Sequence, residues 1–372
     1  MKIFQILEFN QFNTGSVHQM FQAAAGLAGR GHDVTIVSRP DPVLAARAAE
    51  QGVAFAGLPM RHQFDLPSIL GLRRLLREQQ PDVIHVHKGI AHALAFAAMA
   101  FARNGARVGA FIVNRGVSFP LDRWNRGKYR SRRVDRVVTV CEDIKRVIVA
   151  SGKLPEGKVV VVRAGTDVAV FDPAKWNRDA FRRERGIPAG RFLLAQVGVR
   201  DWKGWMELID AVAAVVPEHP TLHLALIGCR SDKEIAAVND YAARRGIGAR
   251  VTAVEYRSDM PNVFASCDLV VDASWAGTGI TGTVREAMAM QKPVIATDCG
   301  GNRELVSSPA VGWLVPKRDV AALANAIREV IDDPAHATQV AANARAHVAR
   351  GFSRELRIRK LEELYAAILA GQ

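Results

Sequence analysis

The sequence predicts an α/β protein built from two doubly wound domains with parallel sheets. Three observations carry this reading. Short, β-branched apolar runs alternate with longer helical stretches along the whole chain, which is the pattern of strand–helix units. Many of those runs are apolar throughout, as in PVIAT at 293–297, the signature of strands covered by helices on both faces. The length of 372 residues exceeds one ordinary domain of about 100–200 residues.

In the first half, strands are expected at Lys2–Leu7, Asp33–Ser38, Val53–Leu58, Asp82–Val86, Arg107–Val113, Asp135–Val140 and Val159–Arg163, with helices such as Val17–Arg30 and Leu66–Gln79 between them. The pattern restarts with Phe192–Val197, Leu222–Ile227, Arg250–Val254, Leu269–Asp272, Pro293–Thr297 and Gly312–Val315. A Gly, two Asp and a Pro between Gly165 and Pro173 mark the break. Domains are therefore expected at 1–168 and 169–352. The last helix, Ser353–Leu369, is amphipathic through Leu356, Leu361, Leu364 and Ile368. Residues 353–372 are expected to pack back on the first domain.

Lys and Arg number 50 against 37 Asp and Glu, a net charge of +13. Such a balance points to an anionic partner: nucleic acid, anionic lipid or a phosphorylated substrate. Cys141, Cys229, Cys267 and Cys299 form no Cys-x-x-Cys pair, so structural zinc and a disulfide framework are not expected. The opening MKIFQILEF is too short for a signal peptide and is interrupted by Glu8. The apolar stretch Ala91 to Ala102 is too short to span a bilayer. A cytoplasmic protein is expected, with any membrane role peripheral.

In open α/β sheets, ligands bind beyond the carboxyl ends of the strands. Gly198-Val199-Arg200-Asp201-Trp202-Lys203-Gly204 follows the strand ending at Val197. Arg200 and Lys203 there suit a diphosphate, which needs fixed positive charge; a solvated basic loop is the plainer reading. A loop with Gly277, Gly279 and Gly282 then opens a helix expected to start at Thr283, where free N–H groups and the helix dipole favour phosphate. Glu286 is expected on its first turn, placed either for the paired hydroxyls of a ribose or for helix stability. Cys299-Gly300-Gly301 forms a second glycine turn.

Together these residues resemble the family-four retaining glycosyltransferases, whose two Rossmann-like domains facing a cleft form the GT-B architecture. The resemblance rests on Glu286-Ala287-Met288-Ala289, Lys292-Pro293-Val294-Ile295-Ala296-Thr297 and Gly300-Gly301-x-x-Glu304, with the loop from Gly198 to Gly204. Weaker matches are Ala164-Gly165-Thr166-Asp167 and, near the start, Thr14-Gly15-Ser16. It implies that Glu286 binds the donor ribose. Arg200, Lys203, Gly282 and Thr283 would bind the donor diphosphate, and Tyr256 and Arg257 would lie near the nucleobase. The first glutamate of the family's paired motif falls on Thr278, at the position that touches the transferred sugar.

In the first half, His87 and Lys88 follow one strand and Arg115 another. Arg115 occupies the place of a histidine that many members carry facing the donor. His87 is either a satisfied polar residue or a catalytic one. Lys88, Arg115 and the Gly15-Ser16 turn suit an acceptor bearing phosphate or carboxylate. Between Arg115 and Arg136, the cations Arg123, Arg126, Lys128, Arg130, Arg132 and Arg133 are interleaved with Trp124 and Tyr129. An anionic membrane surface and a solvated basic face both fit this composition; nucleic acid is not expected, because no nucleic-acid module is recognisable.

The expectation is thus metal-independent, retaining transfer of a sugar from a nucleotide diphosphosugar, with no cofactor. The expected acceptor is an anionic glycolipid or glycan, such as a lipopolysaccharide core or a lipid-linked chain, met at the inner face of the cytoplasmic membrane. No Asp-x-Asp pair occurs anywhere in the chain. Two alternatives stand beside this reading. A nicotinamide dehydrogenase requires a Gly-x-Gly-x-x-Gly turn after the first strand, which Phe9–Val17 lacks. A non-catalytic relative binding a nucleotide or a partner is suggested by Thr278.

Overall fold

A computed structural model describes residues 1–10, 15–100, 109–276 and 279–371. The chain divides into two compact units, Met1–Gly165 with Arg354–Gln372, and Thr166–Ser353.

The first unit holds seven strands: β1 (Lys2–Ile6), β2 (Asp33–Ser38), β3 (Ala54–Gly57), β4 (Val83–Val86), β5 (Ala110–Arg115), β6 (Arg136–Thr139) and β7 (Val159–Val161). Its helices are α1 (Gly15–Ala28), α2 (Pro42–Glu50), α3 (Leu66–Gln79), α4 (Gly89–Ala100), α5 (Arg126–Arg130) and α6 (Glu142–Gly152). The strands pair in parallel in the order β3-β2-β1-β4-β5-β6-β7. Every residue of β4 is buried, as expected for an interior strand covered on both faces.

The second unit holds α7 (Ala180–Glu184), β8 (Phe192–Val197), α8 (Trp205–Val215), β9 (Leu222–Cys229), α9 (Asp232–Arg244), β10 (Val251–Glu255), α10 (Met260–Ser266) and β11 (Leu269–Asp272). It continues with α11 (Gly282–Ala289), β12 (Val294–Thr297), α12 (Asn302–Leu305), β13 (Trp313–Val315), α13 (Val320–Asp332) and α14 (Pro334–Gly351). Its sheet is also parallel, in the order β10-β9-β8-β11-β12-β13. All thirteen expected strands are present; β2, β8 and β11 have the expected ends, and the others differ by no more than three residues at either end.

The last helix, α15 (Arg354–Ala370), belongs to the first unit. It buries Ile358, Leu361, Tyr365 and Ile368, which join Val17, Met20 and Leu27 of α1 in one core. Gly26 of α1 leaves room for this packing, since a Cβ there would lie 2.0 Å from the Ile358 Cδ1. Among the described residues, no helix is long and apolar enough to cross a membrane.

Both strand orders reverse direction once, between β1 and β4 and between β8 and β11. In such sheets the connections leave these neighbouring strands to opposite faces, opening a crevice at their carboxyl ends.

Candidate functional site

At the second unit's switch point, the loop after β8 is fastened to the segment after β11. Gln196 spans the two: its Nε2 donates to the Lys203 carbonyl at 3.0 Å, and its Oε1 accepts from the Ala273 N–H at 3.0 Å. The Trp275 N–H donates to the Trp202 carbonyl at 2.8 Å, and its indole Nε1 donates to the Asp201 carbonyl at 2.9 Å. Gly204 has φ +64°, and a Cβ there would fall 2.1 Å from the Ala273 carbonyl oxygen. Only glycine combines that dihedral with that approach.

This fastening carries the Lys203 ammonium to Asp272, the last residue of β11. Lys203 Nζ lies 3.2 Å from Asp272 Oδ1. The same oxygen accepts from Ser274 Oγ at 2.7 Å, and Oδ2 accepts from Asn302 Nδ2 at 2.9 Å. Asp272 is 1% exposed. Burial alone would raise its carboxyl, but the Lys203 charge and these hydrogen bonds outweigh burial and hold it below the ordinary range. Arg200 goes elsewhere. Its Nη1 donates to the Val199 carbonyl at 2.8 Å and meets Glu234 of α9 at 3.5 Å.

Helix α11 begins at Gly282 rather than Thr283, so Glu286 is its fifth residue and lies beyond the first turn. The N-cap residue Thr281 makes no side-chain cap; its hydroxyl donates instead to Asn302 Oδ1 at 2.7 Å. Glu286 nevertheless lies near the helix start, because a Cβ on Gly282 would be 3.6 Å from its Oε1. Burial pushes the Glu286 carboxyl up to about 7, opposed by the charge of the adjacent Arg285. Tyr256, 49% exposed, has its phenol raised by partial burial and then by the Glu286 charge. Thr278 lies outside the described residues.

Arg257 departs from expectation. Its guanidinium donates to both oxygens of Asp259 and both of Glu184 and lies over the Phe181 ring, 5.4 Å from the centroid. With its donors committed to two carboxylates it is a strut between α7 and the β10–α10 loop.

In the first unit, Lys88 follows β4 and Arg115 ends β5, and Lys88 lies within the field of a carboxylate that the sequence reading passed over. Glu8, buried just after β1, accepts from the Ile90 and Ala91 N–H groups at 3.4 and 3.2 Å, and so caps α4. Its charge also acts on Lys88 and Lys128, whose ammonium groups burial otherwise lowers. Lys88 Nζ lies 4.0 Å from the centre of the Phe9 ring, and Arg115 Nη2 donates to the Phe119 carbonyl at 2.8 Å. Gly15 and Ser16 open α1, with no atom within 4 Å of a Cβ built on Gly15.

His87 is corrected from a catalytic candidate to a packed core histidine. It is 4% exposed, stacks on His85 at 4.4 Å, and its Nε2 meets Gln5 Oε1 at 2.6 Å. Burial, aided by Arg357, brings its imidazole down to about 3, so it is neutral at physiological pH. Tyr129 is likewise buried, edge-on to the His92 ring at 4.8 Å. Trp124 is 83% exposed.

Comparison with known proteins settles the family. Residues 14–170 match the family described as Glycosyltransferase Family 4, and residues 191–333 match the one described as Glycosyl transferases group 1. The chain belongs to the family-four glycosyltransferases. Similar proteins include the UDP-Gal:alpha-D-GlcNAc-diphosphoundecaprenol alpha-1,3-galactosyltransferase of Escherichia coli, 24% identical over 81% of this chain and 79% of that protein. The lipopolysaccharide core biosynthesis mannosyltransferase LpcC of Rhizobium leguminosarum bv. viciae is 29% identical over 65% of this chain and 67% of its own. The crystal structure of a glycosyltransferase from Rickettsia africae ESF-5 superimposes with a TM-score of 0.88, at 20% identity and full coverage of both chains. The fold is therefore GT-B.

For this glycosyltransferase, sequence reasoning missed Asp272 and Glu8. Each is a carboxylate at the end of an apolar strand that the structure buries at a switch point. The available signal was the charge itself: LVVD at 269–272 ends an otherwise apolar strand on an acid, which burial permits only with partners.

Proposed function

We propose that this glycosyltransferase moves a sugar from a nucleotide diphosphosugar to a cell-envelope glycolipid, with retention of anomeric configuration and without a metal ion. The observation that carries this reading is the grouping at the β8/β11 switch point. Lys203 and the uncapped N-terminus of α11 offer positive charge to a diphosphate, and the Glu286 carboxylate near that helix start offers acceptors to ribose hydroxyls. Arg200, held beside Glu234 through one nitrogen, keeps further N–H groups for the same diphosphate. Tyr256 stacks on the nucleobase.

In the transfer step the acceptor oxygen bonds to the anomeric carbon as the bond from that carbon to the diphosphate oxygen breaks. The hydroxyl proton passes to the departing phosphate on the same face. Charge building on the leaving diphosphate is what Lys203 and the α11 amides stabilise. Lys88, Arg115 and Lys128 supply cations for an anionic acceptor. Exposed Trp124 and Phe119 among Arg123, Arg126 and Arg130 support docking on an anionic membrane at its cytoplasmic face. The lipid-linked acceptor named for the Escherichia coli relative is of the same class.

The test is turnover of a panel of nucleotide sugars with cell-envelope extract, in excess chelator, with the anomeric configuration of the product read by NMR. Transfer with retention is expected. Inversion, or activity that disappears with chelator and returns with magnesium or manganese, overturns the mechanism. Nucleotide binding without turnover of any donor would favour a non-catalytic relative.

A further inference from the structure

We propose that Asp272 is a positioning residue for the donor diphosphate: it fixes the Lys203 ammonium at the switch point and, through Asn302, ties it to the N-cap of α11. The inference rests on the reading of Lys203 as the diphosphate lysine.

Asp272 is the junction of three segments that the sequence keeps apart. Lys203 reaches it from the loop after β8, Ser274 from its own strand end, and Asn302 from the start of α12. Asn302 spends its remaining capacity on the same neighbourhood: its Oδ1 accepts from the α11 N-cap Thr281, and its Nδ2 also donates to the Thr297 carbonyl at 3.1 Å. Lys203 is therefore connected to the helix start through two side chains, each with its hydrogen-bonding groups engaged. The Lys203 stem is guided as well, since a Cβ on Gly198 would lie 3.4 Å from its Cγ and Cε.

The ammonium has three N–H groups, and the contact with Asp272 uses one of them. The others remain for phosphate oxygens, on a side chain whose rotamers are already restricted. Fixing a long, flexible side chain in advance removes an ordering cost worth roughly two- to tenfold in affinity. The opposing effect is repulsion between the carboxylate and the diphosphate. It is weakened because Asp272 is buried and its charge is spread over three donors, so the positioning effect is expected to win.

Asparagine tests this directly. Both oxygens of Asp272 accept hydrogen bonds, whereas asparagine offers one acceptor. In either orientation its amide faces a donor, Lys203 and Ser274 on one side or Asn302 on the other. Asp272→Asn therefore takes the counter-charge from Lys203 in both orientations and the acceptor in one, and should loosen Lys203 without removing it.

The probes are whichever of UDP, GDP and ADP binds the wild-type chain most tightly by calorimetry, and the corresponding nucleoside. Asp272→Asn should weaken the nucleotide about three- to tenfold and leave the nucleoside within about twofold. Lys203→Ala should weaken the nucleotide and lower the thermal midpoint, because it strips a buried carboxylate of its counter-ion. Adding Asp272→Asn to Lys203→Ala should cost no further nucleotide affinity and should restore part of the midpoint. Ser274→Ala, which keeps the charge, should give a smaller loss in the same direction that also vanishes without Lys203.

Unchanged or tighter nucleotide binding by Asp272→Asn overturns the proposal. So does an equal loss for the nucleoside, or losses that multiply in the double variant. If Lys203→Ala alone leaves nucleotide affinity intact, the diphosphate assignment of Lys203 fails instead, a distinct result that removes both readings.

Discussion

The burial that pushes the Glu286 carboxyl up to about 7 acts in opposite directions on binding and on folding. Ribose hydroxyls donate to a carboxylate, so the ionised form binds nucleotide better. Affinity should fall as pH drops from 8 to 6, and calorimetry on Glu286→Gln should show a flat profile over that range. For folding the sign reverses. A carboxyl raised from its ordinary 4.5 to about 7 in the folded state binds its proton more tightly when folded, so its contribution is full below 4.5 and lost as pH rises through 7. Ligand-free Glu286→Gln should therefore be more stable than wild type at pH 8 by on the order of 1–3 kcal/mol, with the difference shrinking towards pH 5. Denaturant midpoints at the two pH values decide this. A stability difference that ignores pH would mean that Glu286 is ionised throughout. Glu286 and Lys203 were legible because they lie in local motifs. The engagement of Arg257 was not, because Glu184, one of the two carboxylates that hold it, comes from a separate element, α7.

At the scale of elements, the loop between β8 and α8 is held in place by contacts that begin at glycine. Gly204 and Gly190 are both left-handed, at φ +64° and +81°. A Cβ on Gly190 would meet nothing within 4 Å, whereas one on Gly204 would strike the Ala273 backbone. Gly190→Ala should cost only the left-handed penalty of about 1–2 kcal/mol. Gly204→Ala adds an overpacking cost of roughly 1–3 kcal/mol and should also weaken nucleotide binding, because Lys203 shifts with the loop. Urea midpoints and nucleotide titrations of the two variants separate these effects. Equal costs would show that the loop yields easily, and that its fastening to the β11 end does not position Lys203. The strands themselves were readable from apolar runs such as FLLAQV and LVVD, since burial on both faces leaves no alternation to obscure them. Their ends were less readable, because a strand stops where pairing stops, and pairing is set by the neighbouring strand.

Taken as a whole, the chain distributes its buried histidines unequally between its two units. The first unit contains His85, His87 and His92, the last two brought down to about 3 and His85 well below its ordinary value, all chiefly by burial. Two of them belong to the chain of contacts that docks α15: His85 Nδ1 meets the Tyr365 hydroxyl at 2.7 Å, and Gln5 joins that hydroxyl at 3.3 Å to His87 at 2.6 Å. The second unit has one comparable histidine, His223, lowered to about 4 by burial and then by Arg191. A histidine depressed in the folded state stabilises fully above its unfolded value of 6.5, and that stability is lost as pH falls towards the folded value. Three such groups remove about 4 kcal/mol per pH unit, against about 1.4 for one. Over the same window Glu286 takes up its proton and stabilises the second unit. Acid should therefore open the first unit first, beginning below about pH 6 with β4 and α15. Hydrogen exchange read by mass spectrometry between pH 7 and pH 5 should show these segments losing protection while β8 and β9 keep theirs. Simultaneous loss, or loss that starts in the second unit, would mean that the buried histidines titrate near their ordinary values and that α15 is held by its apolar face alone.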